Sequence, residues 1–404
     1  MSKQVIVVGA GHASGQIIAT LRQKKYDGQI LLIGEEPYLP YQRPPLSKKF
    51  LAGELPAERL YVKPSSFYDV PNVDPRLNTR VASIDRSAKS VTTDTGDTFF
   101  YDSLLLSTGS NAIRLGVDGS HLGGIHYLRT IDDVKRIRAE LNTGKKVAII
   151  GAGYIGLEVA AVLRKLGLDV TVIEMADRVM SRVVSNDVSD FYERVHESHG
   201  VSLKLSTGCA KFDGRERVAA VVTDNGQHID VDFVVVGVGI TPNTALAEAA
   251  GLDIDNGIAV DEYCRTSDPS IYAAGDCTSH PSGIYDCRIR LESVHNALEQ
   301  AKTAALGICG ELHEYSQVPW FWSDQYDLKL QIAGLSTGYD ETVIRGDRDQ
   351  ASFSCLYLKD GRLIAIDAIN APRDFMQSKA LIAAGAKPDK TRLADTRVLL
   401  KNLV

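Results

Sequence analysis

The sequence predicts an α/β chain with two separate dinucleotide-binding units, and three observations carry that reading. The apolar run Val5-Ile6-Val7-Val8 breaks into Gly9-Ala10-Gly11-His12-Ala13-Ser14-Gly15 and restarts with helical spacing at Ile17, Ile18 and Leu21. The same order recurs at Val147-Ala148-Ile149-Ile150, followed by Gly151-Ala152-Gly153-Tyr154-Ile155-Gly156. Each turn leads to a second strand pattern that closes on an acid, Gln29 to Ile33 with Glu35 and Asp169 to Ile173 with Glu174. Strand, glycine turn, helix, strand and acid in that order describe a Rossmann-like unit.

The residue types have physical reasons. Gly9 permits a tight turn after the first strand, and Gly11 lets backbone amides approach a pyrophosphate at the helix N-terminus. Ala13 and Ser14 are small; Ser14 takes the place of the third glycine and still allows helix and strand to pack closely. The second turn has all three glycines, Gly151, Gly153 and Gly156, with Tyr154 and Ile155 between them. Glu35 and Glu174 stand where a carboxylate accepts from ribose hydroxyls. At Glu174 that favours NADH, because a carboxylate repels a 2'-phosphate, although Arg178 and Arg182 nearby offer a phosphate an alternative partner.

The 404 residues leave room for two or three domains, and 44% hydrophobic with 24% charged residues is ordinary globular composition. A net charge of -6 argues against a general nucleic-acid partner. No apolar run approaches the ~20 residues that span a bilayer, so no membrane partner is expected. Met1-Ser2-Lys3 runs straight into the first strand, which gives a cytoplasmic expectation. Six scattered cysteines read as free thiols. Cys277 with His280 is only a fragment of a ligand pattern, and no metal is expected.

Between the two turns, Tyr41-Gln42-Arg43-Pro44-Pro45-Leu46-Ser47-Lys48 forms a rigid, proline-fixed loop. Strand alternation follows from Val81 to Ile84 and from Ser90 to Thr93. Tyr101 to Ser110 reads as a buried parallel strand that ends at Thr108-Gly109, and Phe233 to Asn243 parallels it with Gly237 and Gly239. Thr266 to Asp276 is a further buried strand with Gly275-Asp276 at its end, where Asp276 is either a ligand or the cap of the next turn. The expected domains are 1–112 with 245–318, then 113–244, then 319–404.

With Ser107-Thr108-Gly109, Gly237-Val238-Gly239 and Gly275-Asp276, the paired turns resemble the two-dinucleotide-binding-domain flavoprotein reductases, whose fold is glutathione-reductase-like. Pro44-Pro45-Leu46-Ser47-Lys48, Tyr154-Ile155-Gly156-Leu157-Glu158, Glu292-Ser293-Val294-His295-Asn296-Ala297 and Pro319-Trp320-Phe321-Trp322-Ser323-Asp324-Gln325 are similar to the oxygenase-coupled NADH:ferredoxin reductases. The resemblance implies FAD in the first fold, NADH in the second and a C-terminal α+β interface domain. It implies that Gly9, Gly11, Ala13, Ser14, Thr108, Gly109 and Gly275 line the FAD site and that Glu35 holds its adenosine ribose. Val81 meets the adenine end, Arg129 supports the cofactor, Asp276 accepts from the ribityl chain, and Ser293 and Val294 open a helix aimed at the flavin pyrimidine edge. Lys48 lies near the flavin and pairs there with Glu158; an ordinary ion pair between surface helices is the other reading. Tyr154 either covers the flavin until nicotinamide displaces it or simply packs, and Trp322 with Trp320 and Phe321 either meets flavin and partner or fills a boundary.

The implied reaction is hydride transfer from NADH to FAD, then two single-electron transfers to a two-iron two-sulfur ferredoxin that feeds a haem monooxygenase or a ring-hydroxylating dioxygenase. Arg43, Lys48, Lys49, Arg288, Arg290 and Lys329 are candidates for a basic rim that steers an acidic ferredoxin. The loop Pro37 to Lys49 has no cysteine, which sets the chain apart from related disulfide reductases and cysteine-dependent oxidases and peroxidases. The alternatives are a signalling flavoprotein of the apoptosis-inducing-factor type and an NADH oxidase. A monomer or weak homodimer is expected, since no coiled-coil or large apolar surface pattern is present.

Overall fold

The structure is a computed structural model that describes residues 3–141 and 145–403. It divides into two compact units, Met1–Gln42, Ala57–Asn111 and Thr241–Pro319 in the first, and Arg43–Pro56, Ala112–Ile240 and Trp320–Val404 in the second.

In the first unit a parallel sheet runs in the order Ile271–Ala273, Ser103–Leu106, Gln4–Val8, Gln29–Ile33, Val73–Arg76. Strand residues alternate between faces, so each apolar run feeds two cores. Val5 and Val7 pack with Ile17, Ile18 and Leu21 of the helix His12–Gln23 and with Ala301, Ala304 and Ala305 of the helix Val294–Ile308. Ile6 and Val8 face the other way, onto Val81, Val91 and Ile258. Val81 opens the first strand of a three-stranded antiparallel sheet, Val81–Asp85, Ser90–Thr93 and Thr98–Phe100, which covers that face. The chain leaves the central strand Gln4–Val8 in one direction and returns on its other side, which makes its C-terminal end a topological switch point.

The second unit repeats the plan. Its parallel sheet has the order Ser202–Lys204, Asp169–Ile173, Lys146–Ile150, Phe233–Val236, Ile125–Tyr127, with the switch point at the end of Lys146–Ile150. The helix Tyr154–Lys165 follows that strand, and an antiparallel sheet of Cys209–Gly214, Val218–Thr223 and His228–Asp230 lies in the same unit. After Pro319 comes a five-stranded antiparallel sheet ordered Trp320–Gln325, Leu328–Gly334, Arg362–Ile369, Ser352–Lys359, Glu341–Asp347. The helix Pro372–Ala383 packs on Leu328–Gly334 and Arg362–Ile369, with Phe375, Leu381 and Ile382 buried, so this segment is α+β.

Inside that last sheet Asp367 is 1% exposed and accepts from the Tyr357 hydroxyl. Burial pushes its carboxyl up to about 7, against the opposing hydrogen bond from Tyr357. An unfolded aspartate releases its proton near 3.9, so between about pH 4 and pH 7 the folded chain holds a proton that the unfolded chain gives up, and stability falls as pH rises through that window. Asp367→Asn is uncharged throughout. Urea midpoints across pH 4 to 7 are expected to show the variant gaining stability relative to the parent as pH rises; a constant difference contradicts this.

Candidate functional site

Both glycine turns sit at switch points and are built alike. Gly9 has φ +100°, and a Cβ there would lie 2.2 Å from the Ser107 carbonyl oxygen. Gly151 has φ +105°, and its Cβ would lie 2.5 Å from the Gly237 carbonyl oxygen. In each case only glycine lets the turn press against the neighbouring strand end. Gly11 and Gly153 are the N-caps of the two helices, and a Cβ on either would meet no heavy atom within 4 Å, so their backbone faces open space. Close packing is handled by the third position. A Cβ on Gly156 would lie 2.1 Å from the Gly151 carbonyl, whereas buried Ser14 donates its hydroxyl to the Gly11 carbonyl at 2.8 Å.

These two helices also begin without a side-chain cap and without an acid in the first turn. By contrast Thr130 and Asp133 form a capping box on the helix Ile131–Glu140, and Ser185 caps Asn186–Ser198. No N-cap side chain bonds the first-turn amides after Gly11 and Gly153, which leaves the positive end of each helix dipole for an anion and fits a dinucleotide pyrophosphate.

Around the first turn, Glu35 is exposed just past its strand. Thr108 donates to the Asn243 carbonyl at 2.7 Å, Asn243 donates back to the Thr108 carbonyl at 2.8 Å, and Gly109 adopts φ +66°. Asp276 accepts from Ser110 at 2.9 Å. Gln300 gathers this corner, accepting from the Gly275 amide at 2.8 Å, the Thr278 hydroxyl at 2.9 Å and Asn296 at 3.2 Å. Ser293 caps the helix Val294–Ile308 by accepting from the Asn296 amide. Burial, with the charge of Arg288, holds the His280 imidazole beside Gln300 down to about 4.

Around the second turn, Glu174 accepts from the Ala152 amide at 2.7 Å and the Ala176 amide at 2.9 Å, so its carboxylate is clamped across the glycine loop. Arg178 is committed to the Ser181 and Val184 carbonyls, and exposed Arg182 lies beside Gly239, whose φ is +116°. Ile155 is 42% exposed in the first helical turn. Tyr154 is half-buried against Phe321, with ring centroids 4.9 Å apart.

Lys48 and Glu158 meet at 2.7 Å, in a largely buried pair rather than between two surface helices. Glu158 is 3% exposed, the Lys48 side chain 16%, and Lys48 follows the single proline-led turn Pro44–Ser47. Ser47 and Ser323 donate to the two carboxylate oxygens. Trp322 lies 5.6 Å from Trp320 and 6.4 Å from Phe321. Arg129 offers its carbonyl to Arg43 and its amide to Asp133. Of the basic candidates, Lys49 and Lys329 are exposed, whereas Arg43, Lys48, Arg288 and Arg290 are engaged within their own units. Ser47, Ser323 and Asn243 lie inside the stretches that carry the sequence motifs but have no signal of their own, and Gln300 lies outside them.

A family model described as pyridine nucleotide-disulphide oxidoreductase matches residues 3–301, and one described as reductase C-terminal matches residues 320–404. The chain belongs to the pyridine nucleotide-disulphide oxidoreductase family. It is 43% identical over 401 residues to the 5,5'-dehydrodivanillate O-demethylase ferredoxin reductase subunit of Sphingobium sp., covering 98% of this chain and 97% of that one. It is 44% identical over 405 residues to a ferredoxin–NAD(P)+ reductase of Sphingomonas sp., covering 99% and 97%. The crystal structure of a covalent putidaredoxin reductase–putidaredoxin complex matches with a TM-score of 0.96 at 39% identity, over 99% of this chain and 98% of that one. This member of the family is a flavoprotein oxidoreductase of the ferredoxin reductase type and uses FAD and NAD(P)H. No helix among the described residues is long and apolar enough to cross a membrane.

The open space at the two N-caps separates folding from binding. Gly11→Val and Gly153→Val are expected to unfold at the parental temperature as apoproteins, the first losing FAD and the second keeping FAD but losing at least tenfold in NADH affinity. Gly9→Ala is expected to lower the midpoint itself. Visible absorbance, NADH titration and thermal melts check all three; loss of both nucleotides in either valine variant contradicts the assignment.

Proposed function

We propose that this chain oxidises NADH on FAD and passes electrons singly to a two-iron two-sulfur ferredoxin that serves a haem monooxygenase or a ring-hydroxylating dioxygenase, in the cytoplasm. The observation that carries the reading is the pair of glycine turns without a side-chain cap, each with an acid just past the next strand. Bound FAD supplies the conversion between a two-electron donor and one-electron acceptors.

The remaining roles belong to the chain's own residues. Gly9, Gly11, Ala13, Ser14, Glu35, Val81, Thr108, Gly109, Gly275, Asp276, Ser293 and Val294 hold FAD, within 1–112 and 245–318; Lys48, Arg129 and Trp322 keep the flavin roles that the resemblance gives them. Gly151, Gly153, Tyr154, Ile155, Gly156, Glu174, Gly237 and Gly239 hold the nicotinamide dinucleotide, within 113–244. The clamp on Glu174 presents a carboxylate to the ribose, and Arg178 is spent on backbone carbonyls, so NADH is the preferred donor. The cysteines support electron exit from flavin to an external carrier: all six are free thiols, and burial pushes the thiols of Cys209 and Cys355 up to about 11 and 12 and holds those of Cys264 and Cys277 above their ordinary value. The names of the relatives support a ferredoxin-type partner: one is a ferredoxin reductase subunit of an O-demethylase and another a reductase crystallised with putidaredoxin.

Anaerobic stopped-flow tests the proposal. Flavin is expected to be bleached at least tenfold faster by NADH than by NADPH and then reoxidised by a two-iron ferredoxin faster than by oxygen. Rapid bleaching with reoxidation by oxygen alone, or a long-lived reduced complex that no ferredoxin discharges, overturns it.

A further inference from the structure

The Glu158 carboxylate ends a longer line of polar groups. Ser323 donates to its Oε1 at 2.7 Å; Gln325 Nε2 lies 3.2 Å from Ser323 Oγ; His196 Nε2 lies 2.8 Å from Gln325 Oε1; and the Tyr326 hydroxyl lies 3.2 Å from His196 Nδ1. Ser323, Gln325 and His196 are fully or almost fully buried. They come from different elements, the strand Trp320–Gln325 and the helix Asn186–Ser198, and Tyr326 is held at φ +56° in the turn after that strand.

Chemistry fixes the direction of every bond. An ionised carboxylate only accepts, so Ser323 donates to it and its oxygen is left to accept. The amide NH2 of Gln325 must therefore face Ser323 and its carbonyl must face His196. The proton of a neutral His196 then sits on Nε2, and Nδ1 accepts from Tyr326. All the dipoles point the same way, and such a chain strengthens each of its members in a low-dielectric interior.

We propose that Tyr326, His196, Gln325 and Ser323 form a one-way chain of donors that ends on Glu158 and fixes the orientation of its carboxylate against Lys48, which makes Ser323 and His196 positioning residues for that pair. This rests on the reading that Lys48 and Glu158 act at the flavin. The groups facing Glu158 are Lys48, Ser47 and Ser323, and its charge acts on Tyr192 together with those of Asp367 and Asp324. Those facing His196 are Gln325, Tyr326 and His199, the last stacked on Tyr326 at 3.7 Å. Burial lowers the His196 imidazole to about 4, with the charge of His199 acting the same way and the Gln325 hydrogen bond opposing, so it stays neutral where the enzyme works.

Nitrogen-15 spectra of histidine-labelled FAD-loaded protein, with His196 identified through His196→Gln, read the chain directly. The expected signature is a protonated Nε2 and a bare Nδ1 from pH 7 down to pH 5.5. In Ser323→Ala, Gln325 is freed to flip and both tautomers appear; Ser323→Thr restores the hydroxyl and the single tautomer. In stopped-flow reduction by NADH, Ser323→Ala is expected to bleach the flavin about tenfold more slowly at saturating NADH with the half-saturating NADH concentration unchanged, and Ser323→Thr to restore the rate. A protonated Nδ1 or a cationic His196 at pH 7 overturns the chain. A parental rate in Ser323→Ala alongside slowed reduction in Glu158→Gln overturns the positioning role. If Glu158→Gln itself reduces at the parental rate, the flavin assignment of the pair is what falls, and the histidine spectra alone decide the chain.

Discussion

The fold depends on one close approach made twice. At each switch point a glycine with φ near +100° lies against the carbonyl that ends the neighbouring strand, Ser107 in the first unit and Gly237 in the second. Any side chain would push the turn off the sheet, and the following helix would no longer start at the strand ends with its amides facing outward. The helices that begin at Gly11 and Gly153 without a side-chain cap take their positions beside that contact.

Much of this was legible in the residues because it is local. The strands Gln29–Ile33 and Asp169–Ile173 coincide with the apolar runs, and Gly9, Gly11, Gly151, Gly153 and Gly156 stand out by spacing. Even the departure at Ser14 has a local resolution, a hydroxyl turned onto the Gly11 carbonyl. The antiparallel C-terminal sheet was less visible. Its central strands Ser352–Lys359 and Arg362–Ile369 are buried almost throughout, so they show little of the alternation by which a half-exposed strand is recognised.

What stayed hidden were long-range polar contacts. Ser47 is more than a hundred residues from Glu158 and Ser323 farther still, and a serine or glutamine carries no pattern that announces a distant partner. Gln300 is similar: it sits on an alanine-rich helix face yet is the acceptor that ties Gly275 and Thr278 to Asn296. Such groups are buried only because each is satisfied, and their specificity comes from the tertiary fold. The basic rim shows the converse, since four of its six cations answer internal acceptors.

One chain is expected to hold two dinucleotides in two independent cradles. Titrating the FAD-loaded protein with NAD+ by calorimetry, while following released flavin by fluorescence, tests it most directly. One NAD+ bound per chain with one FAD retained is the expected result. Displacement of FAD by NAD+, or no NAD+ binding to a protein that retains its flavin, would contradict it.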